Sequence, residues 1–226
     1  EPKVPVWCVT PNEGRCLHRF FDTPAFSPSG RYLAVLRLPF EDRIGEAGEK
    51  AQVALIDLAE GGETVVAETA GWEPQMGANL NWGADDHTLL FNDVDTDTWT
   101  PQLVRLDPLT GESRKTPGGI YQASPDGRSC SSSSMERMRR TQIGYGVVLP
   151  DEHTPRNIGA PEDDGLFITD VETGDRKLVF SLAEAATLIP ELDGVDLNDW
   201  EIYGFHSKWN PQGDRLIFTV RRFLKR

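Results

Sequence analysis

The sequence predicts an all-β protein, a β-propeller of four-stranded antiparallel blades. A phrase that joins a tight turn to strand-forming residues occurs four times, at 26–35, 82–91, 123–132 and 209–218. A second, apolar phrase leading into a Gly-containing turn follows each of the first three copies, at 53–59, 103–109 and 166–172. Each phrase fits one β-hairpin, so two phrases supply the four strands of a blade. A unit that repeats at intervals of tens of residues is typical of propellers and solenoids.

The turns of the first phrase contain residues suited to a sharp reversal of the chain. In its third copy, Pro125 presets φ, Asp126 caps the turn and Gly127 accepts a positive φ. Helical periodicity is nearly absent, and we expect one short helix, at 181–188. The local sequence therefore favours hairpins along almost the whole chain.

The spacing of the copies predicts the limits of the blades. A simple blade takes roughly 40–50 residues, which matches the interval from residue 82 to residue 123, whereas the interval from 123 to 209 is much longer. We expect one domain over residues 1–226, with blades at 26–70, 80–117 and 121–182, a partial blade at 207–226 and an insertion at 135–164. The sequence thus predicts an incomplete propeller, three blades and the start of a fourth, belonging to a longer protein.

Composition argues against several functional classes. With 36 acidic and 23 basic residues, the formal net charge of −13 disfavours general binding to nucleic acids or to anionic membranes. The apolar runs are too short to cross a membrane, and no signal peptide is visible at residues 1–5. Cys8, Cys16 and Cys130 lack metal-type spacing, and both a Cys8–Cys16 disulfide and free thiols fit the sequence. The compartment, cytoplasm or periplasm, and the oligomeric state stay open.

The propeller topology predicts which loops share one face. Strand direction alternates within a blade, so the loops entering the first strand and those between the second and third strands emerge together. In this chain these are 15–24, 71–81, 118–122, the insertion 135–164 and 201–208. They carry three of the four histidines, His18, His153 and His206. His18 and His206 precede innermost strands, where ligands bind in such folds, although a hydrogen bond to a neighbouring blade explains either residue equally well.

The insertion contains residues suited to an acidic ligand. Arg137, Arg139 and Arg140 are close together, and arginine forks bind carboxylates in a bidentate manner. A solvated basic edge is the alternative interpretation of these arginines. Tyr145 lies between two glycines and could act as an acid or a base, or serve packing. The alternating aspartates at 92–97 match a calcium loop poorly, because the required Gly and the distal Glu are absent.

Several stretches resemble known propeller proteins. Ser-Pro-Asp-Gly-Arg phrases, such as 124–128, resemble the repeats of TolB-like propellers, a functionally mixed group. The stretch His18-Arg-Phe-Phe-Asp-Thr-Pro-Ala-Phe resembles the opening phrase of the propeller-fold oligogalacturonate lyases. Arg139-Arg140 with the strand that ends near residue 174 is similar to that family's catalytic-arginine region. Gly204-Phe-His206 before a Pro-Gln-Gly-Asp turn is similar to its metal-binding segment. Propeller-fold ulvan lyases are a second, related family.

The resemblance to these lyases implies β-elimination on a uronic acid. In this reaction a cation neutralises the sugar carboxylate, a base removes the C5 proton, and an acid or water protonates the leaving oxygen. The resemblance implies that His206 is a ligand of a divalent metal, manganese by analogy. The other ligands come from a later blade in those lyases, so they are expected outside this chain.

The same resemblance implies roles for six further residues. Arg139 or Arg140 would be the base, although an arginine pKa above 12 makes a neutral guanidine difficult. Tyr145 would be the alternative base or acid. The residues expected to bind the substrate are His18, Arg19 and His153.

The leading hypothesis is a lyase that cleaves uronic-acid-containing oligosaccharides by metal-assisted β-elimination. Its partner would be an acidic oligosaccharide, with no role for nucleic acid or membrane. The alternative is a non-catalytic TolB-like propeller that serves as a binding or protein-interaction module. The position of His206 relative to Arg139 and Arg140 separates the two, since a shared pocket favours the enzyme and separate positions favour the module.

Overall fold

The computed structural model describes residues 3–10, 15–20 and 22–224, and the strands among these residues form four antiparallel sheets. The first sheet contains β1 (Cys16–Leu17), β2 (Tyr32–Arg37), β3 (Ala51–Asp57) and β4 (Gly62–Thr69). The second contains β5 (Asn81–Trp82), β6 (Leu89–Asp95), β7 (Thr100–Leu106) and β8 (Ser113–Pro117). The third contains β9 (Gln122–Ala123), β10 (Ser129–Ser132), β11 (Gly165–Asp170) and β12 (Arg176–Ser181). The fourth contains β13 (Trp200–Trp209) and β14 (Leu216–Leu224).

The sheets are arranged side by side around a common centre. Within each sheet, strands that follow one another in sequence are also neighbours in space. The first strands of neighbouring sheets contact one another, β5 with β9 and β9 with β13. Meandering sheets that adjoin through their first strands are the blades of a β-propeller. The predicted fold class is therefore confirmed, with three four-stranded blades and one two-stranded sheet.

Two sheets begin earlier in the chain than the repeated phrase indicates. β1 lies ahead of the expected limit at residue 26, where the structure has an isolated bridge between Phe26 and Leu33. β13 likewise begins ahead of residue 207. The phrase marks the turn inside each hairpin, because turn residues are chemically distinctive, whereas the strand before the turn is not. Residues 135–164 lie between β10 and β11.

The Ser-Pro-Asp-Gly turn of the third sheet shows why the phrase recurs. The Ser124 hydroxyl donates to Asp126 Oδ1 at 2.6 Å, and the Gly127 N–H donates to the Ser124 carbonyl at 2.8 Å. Gly127 has φ of +68°, and a Cβ there would lie 2.2 Å from the Ala84 nitrogen of the second sheet. Glycine is therefore required both by the backbone conformation and by the close approach of the neighbouring turn.

Among the described residues, one α-helix lies within the third sheet's insertion and another follows that sheet. α2 (Leu182–Thr187) was expected, and a capping box between Ser181 and Glu184 fixes its beginning. α1 (Met135–Thr141) lies in the insertion and was not expected, because Met135 and Met138 give too short a pattern to stand out. Both methionines are buried against the chain around Phe205. Burial of this apolar face, rather than helix propensity, holds so short a helix in place.

Apolar side chains between adjacent sheets form the core. The cluster between the first two sheets includes Leu36, Val53, Leu80, Leu89 and Phe91, each nearly inaccessible to solvent. Full burial of one such side chain stabilises the fold by about 1.5–3 kcal/mol. β6 is buried on both faces, since it packs between the first and third sheets as well as within its own.

Two successive residues of β6 connect its sheet to both neighbours. The side-chain oxygen of Asn92 accepts from the Ile120 N–H at 2.8 Å, and its amide donates to the Ile120 carbonyl at 3.1 Å. Asp93 Oδ1 accepts from the Ala70 N–H at 2.9 Å and from the Thr69 hydroxyl at 3.0 Å. Successive strand residues point to opposite faces, so the pair reaches sheet one and sheet three. These bonds satisfy buried backbone groups that no strand ladder reaches.

The weak calcium-loop pattern therefore has a structural explanation. Asp93 joins two sheets, and Asp95 caps the β6–β7 turn by accepting from the Asp97 N–H at 3.0 Å. All three cysteines are free thiols, so no Cys8–Cys16 disulfide is present. Among the helices of residues 3–10, 15–20 and 22–224, none is long and apolar enough to cross a bilayer.

Replacing Asn92 should weaken the fold measurably. Asn92→Ala leaves the buried N–H of Ile120 without a partner, which costs about 1–3 kcal/mol, whereas the Ile120 carbonyl keeps the bond that Asn79 Nδ2 donates. Urea denaturation should show a lower midpoint. Asp97→Ala, in the exposed turn of the same hairpin, should change the free energy of unfolding by no more than about 0.5 kcal/mol. Equal midpoints for the two variants would contradict the bridging role of Asn92.

Candidate functional site

Side chains from several loops of the predicted face meet where the first strands begin. The Arg19 guanidinium lies over the ring of Tyr121, 4.8 Å from its centroid. The ring of His206 lies 5.3 Å from that of Tyr121 and 5.7 Å from that of Tyr145, centroid to centroid. These residues come from loops 15–24, 118–122, 135–164 and 201–208, whose convergence the topology predicted.

Charged groups adjoin these rings. The Lys208 ammonium lies 2.6 Å from Asp22 Oδ2. The Arg221 guanidinium carbon lies 3.7 Å from the ring centroid of Phe205, and its charge acts on both His206 and Tyr145. We call this group the central cluster, which consists of Arg19, Asp22, Tyr121, Tyr145, His206, Lys208 and Arg221.

Arg19 is the most unusual member of the central cluster. The residue is only 7% exposed. Its Nη1 donates to Asn81 Oδ1 at 3.2 Å, but Nε and Nη2 have no hydrogen-bond partner among the described residues. Burial lowers the pKa of Arg19, yet arginine stays charged in proteins. A buried guanidinium with unused donors is costly unless an acceptor approaches it, so this position favours an anionic ligand.

The central cluster has a positive charge within an acidic protein. Arg19, Lys208 and Arg221 oppose the single carboxylate of Asp22 within the cluster, whereas the whole chain has a net charge of −13. Burial disfavours ionisation of Asp22, but Lys208 and Arg19 outweigh it and lower the pKa of this carboxyl. Three cations around one partly buried place produce a local field that attracts anions.

The other titratable groups of the cluster are neutral at pH 7. Burial, then the charges of Lys208 and Arg221, lowers the pKa of His206 to about 4. Its Nε2 has no hydrogen-bond partner among the described residues. Burial raises the pKa of Tyr121 to about 12 and raises that of Tyr145 as well. His206 is therefore a proton acceptor, and Tyr145, whose hydroxyl accepts from Gln75 Nε2 at 3.2 Å, keeps its proton.

The other two histidines of the predicted face lie in different surroundings. His18 adjoins the cluster, and its Nε2 donates to the Thr23 carbonyl at 2.6 Å, so a backbone bond accounts for one ring nitrogen. Burial lowers its pKa. His153 lies on an exposed turn, with its ring centroid 6.3 Å from that of Trp99. The structure does not bring His153 together with His206.

Arg139 and Arg140 point away from the central cluster. Arg139 Nε lies 3.0 Å from Oε1 of Glu73, a fully buried carboxyl whose pKa burial raises to about 7 against the pull of Arg139. Arg140 Nη2 donates to the Thr154 carbonyl at 2.8 Å. Both arginines line a cavity of about 480 Å³ that His206 does not line. Arg139 and Arg140 therefore line a cavity apart from His206.

The residues of the cluster do not fit a divalent metal ion. Such an ion needs several oxygen or nitrogen ligands around one point. His206 Nε2 is one available ligand atom and Asp22 supplies one carboxylate, but the other members of the cluster are cations and phenols. In the described part of the chain, three or more His, Cys, Asp or Glu side chains do not gather at any such point. We therefore assign no step to a metal.

Four members of the central cluster were not expected as site residues. Tyr121 and Lys208 occupy positions comparable to that of His206, immediately before or within a first strand, and their position could have identified them. Asp22 follows His18 and Arg19 in the first loop. Arg221 lies in the middle of β14, and nothing in the sequence distinguishes it from the arginine that follows.

Comparison with known proteins supports no closer assignment. No protein-family model and no curated protein matches the sequence. Similar solved structures include an oligogalacturonate lyase in complex with manganese, with 13% identity and a TM-score of 0.48, covering 93% of this chain and 61% of that one. A structure described as TolB from Agrobacterium tumefaciens has 17% identity and a TM-score of 0.46, covering 88% and 57%.

A third similar structure is the β-propeller domain of the trilobed protease from Pyrococcus furiosus. It has 13% identity and a TM-score of 0.41, and the match covers 88% of this chain and 54% of that one. The chain thus spans between 54% and 61% of the length of these proteins. At such identities the likeness concerns the fold alone.

Proton titration should separate the histidines by their surroundings. Imidazole resonances followed by NMR should give His206 a pKa of about 4, whereas His87, exposed and bonded to Asp107, should titrate above its ordinary value. Since the unfolded chain binds the His206 proton near pH 6.5, this residue should make stability fall as the pH drops from about 6.5 to 4. His206→Gln should reduce this loss of stability at low pH, and His87→Gln should not reduce it. A normal pKa for His206 would contradict the cluster geometry.

Proposed function

We propose that the protein is a saccharide-binding propeller whose central cluster binds the carboxylate of a uronic acid. The observation that carries the proposal is Arg19, a buried guanidinium with two nitrogen donors that have no hydrogen-bond partner among the described residues. A guanidinium fork binds a carboxylate through two parallel hydrogen bonds. Lys208 and Arg221 supply the long-range attraction.

The aromatic members of the cluster suit the sugar that bears the carboxylate. Tyr121 and Tyr145 flank His206 with ring centroids 5.3 and 5.7 Å away. Saccharide sites combine such flat apolar surfaces with a few directed polar groups. The resemblance of residues 18–26 and 204–214 to uronide-acting propellers supports the same class of ligand. An anionic carboxylate near His206 would also raise the pKa of this histidine, because the negative charge stabilises the imidazolium.

Binding should depend on the carboxylate of the ligand and on the two-pronged guanidinium of Arg19. Galacturonate should bind, and galactose, which lacks the carboxylate, should bind at least about tenfold more weakly. Arg19→Gln should cost about tenfold to a hundredfold in affinity, since hydrogen bonds to charged groups contribute about 1.5–3 kcal/mol. The affinity of Arg19→Lys for galacturonate should lie between those of the wild type and of Arg19→Gln, because lysine keeps the charge but cannot form two parallel hydrogen bonds. NMR titration of the His206 resonances measures both affinity and folding.

The matched control is Arg128→Gln, an exposed arginine in the turn of the third sheet. It should leave the affinity for galacturonate unchanged. Equal affinity of the wild type for galacturonate and galactose would refute the proposal. So would an equal loss in Arg19→Gln and Arg128→Gln.

A lyase activity is the second candidate, supported by the proximity of His206 and Tyr145. A neutral imidazole with a free Nε2 can accept the C5 proton, and a protonated phenol can donate to the leaving oxygen. The electrons of the C–H bond would form the C4–C5 double bond as the C4–O bond breaks. Cations around the carboxylate would stabilise the enolate-like transition state. His206 would then take the place of Arg139 or Arg140 as the base, and Tyr145 would be the acid.

Elimination produces a conjugated unsaturated sugar that absorbs ultraviolet light. Incubation with galacturonate and ulvan oligomers, with and without manganese and a chelator, should give this product if the second candidate is correct. Tyr145→Phe should then lower kcat by about 10²–10⁴-fold, the usual contribution of general acid–base catalysis, without a comparable change in binding. Arg139→Gln serves as the control for the earlier assignment. Binding of galacturonate without any product would leave the saccharide-binding function alone.

A further inference from the structure

All four copies of the repeated phrase line one cavity of about 680 Å³, which we call the central trough. Its apolar walls are formed by Phe26, Trp82, Trp209, Pro28, Pro125 and Pro211. Each copy holds the same place in its own sheet, so the first residue of every copy, and the proline of three of them, recur around the centre. The repeat is therefore more than a device for making turns, since it also builds a lined cavity.

The central trough continues from the central cluster. Asp22 belongs to both, because it pairs with Lys208 and lines the trough. Tyr121 of the cluster immediately precedes Gln122 of the trough along the chain. A strand rises about 3.3 Å per residue, so only about 10 Å of β13 separates His206 from Trp209. Because Asp22 belongs to both, we expect a ligand held at the cluster to reach the trough.

The groups that line the central trough suit sugar rings. Phe26 is 56% exposed although it is a large apolar residue, so its ring is available to a ligand. The indole N–H of Trp82 donates to the Ala25 carbonyl at 2.9 Å. Thr23 Oγ1 and the indole nitrogen of Trp209 have no hydrogen-bond partner in the described part of the chain. Flat apolar rings beside a few polar groups match the apolar faces and hydroxyl edges of a pyranose.

The charge of the central trough differs from that of the cluster. Asp22 is its one charged lining residue among those described, and no Lys, Arg or His lines it. A second uronate placed there would lose hydration without gaining a cation, and Asp22 would repel it. An uncharged sugar meets neither penalty. The two adjacent sites therefore differ in the kind of sugar residue that they accept.

We propose that the central trough binds uncharged sugar residues attached to the uronic acid held by the central cluster. The preferred ligand is then a mixed saccharide, with one acidic residue followed by neutral ones, rather than a homopolymer of uronic acids. This inference rests on the proposed function and adds the identity of the neighbouring subsite.

Three related ligands test the inference. Tryptophan fluorescence and indole NMR signals should be followed during titration with galacturonate, with digalacturonate and with an aldobiouronate, in which one uronic acid is joined to one neutral hexose. The aldobiouronate should bind at least tenfold more tightly than galacturonate, and digalacturonate should show no such gain. Phe26→Ala should abolish the gain and leave galacturonate binding unchanged. Leu109→Ala, an exposed apolar residue outside the trough, should preserve both affinities.

The outcomes distinguish this inference from the function on which it rests. Digalacturonate binding as tightly as the aldobiouronate, or a full gain in Phe26→Ala, would overturn the trough assignment while the uronate site stands. Cellobiose, a neutral disaccharide, tests the opposite case, in which the trough binds a sugar and the central cluster does not bind a uronate. If cellobiose shifts the indole signals in a Phe26-dependent way and galacturonate does not bind, the trough stands and the uronate site fails. If no ligand binds, both fail.

Discussion

The hydrogen bonds that join one sheet to the next are the constraint on which the rest of this structure depends. Strand ladders operate within a sheet, and at the sheet-to-sheet boundary they leave backbone groups that must be satisfied by other means. Asn92 and Asp93 meet this need in opposite directions from adjacent positions of one strand. Ser131 and Ser133 do so between the third and fourth sheets, by donating to the Ser207 and Phe205 carbonyls. These bonds set the rotation between sheets, and with it the position of every loop near the centre.

The central cluster follows from that arrangement. Because the first strands of neighbouring sheets adjoin, the residues just before these strands lie close to one another. Arg19, Tyr121 and His206 therefore meet although they are far apart in sequence. Their crowding explains the electrostatics, because burial disfavours charge on His206 while the neighbouring cations add to the effect. An acidic protein thus has a local positive site without any run of basic residues there.

The arginines of the insertion show how one buried group can redirect a side chain. Arg139 lies beside Glu73, whose carboxyl is fully removed from solvent and would be costly to leave unpaired. This pairing holds α1 against the 71–81 loop and turns the guanidinium away from His206. Arg140 is held by the Thr154 carbonyl. The cluster and the trough consequently form the chemistry of the centre, while these arginines line a separate cavity.

Much of the architecture could be predicted from local sequence alone. The recurring Ser-Pro-Asp-Gly phrases identify hairpins because their turn residues are constrained by φ, and the alternation of strand direction then places loops such as 15–24 and 201–208 on one face. The same reasoning places Arg19, Tyr145 and His206 on that face. The helical periodicity of 181–188 identified α2 in the same way.

Other features were decided by tertiary structure. The sequence could not show that Glu73 is buried beside Arg139, that Arg221 reaches the cluster from β14, or that Asp22 belongs to two sites at once. Turns and strands are governed by the preferences of a few adjacent residues, and the sequence states these directly. Pairing, burial and pKa depend on which distant side chains share one small volume, and that is determined only when the sheets pack together.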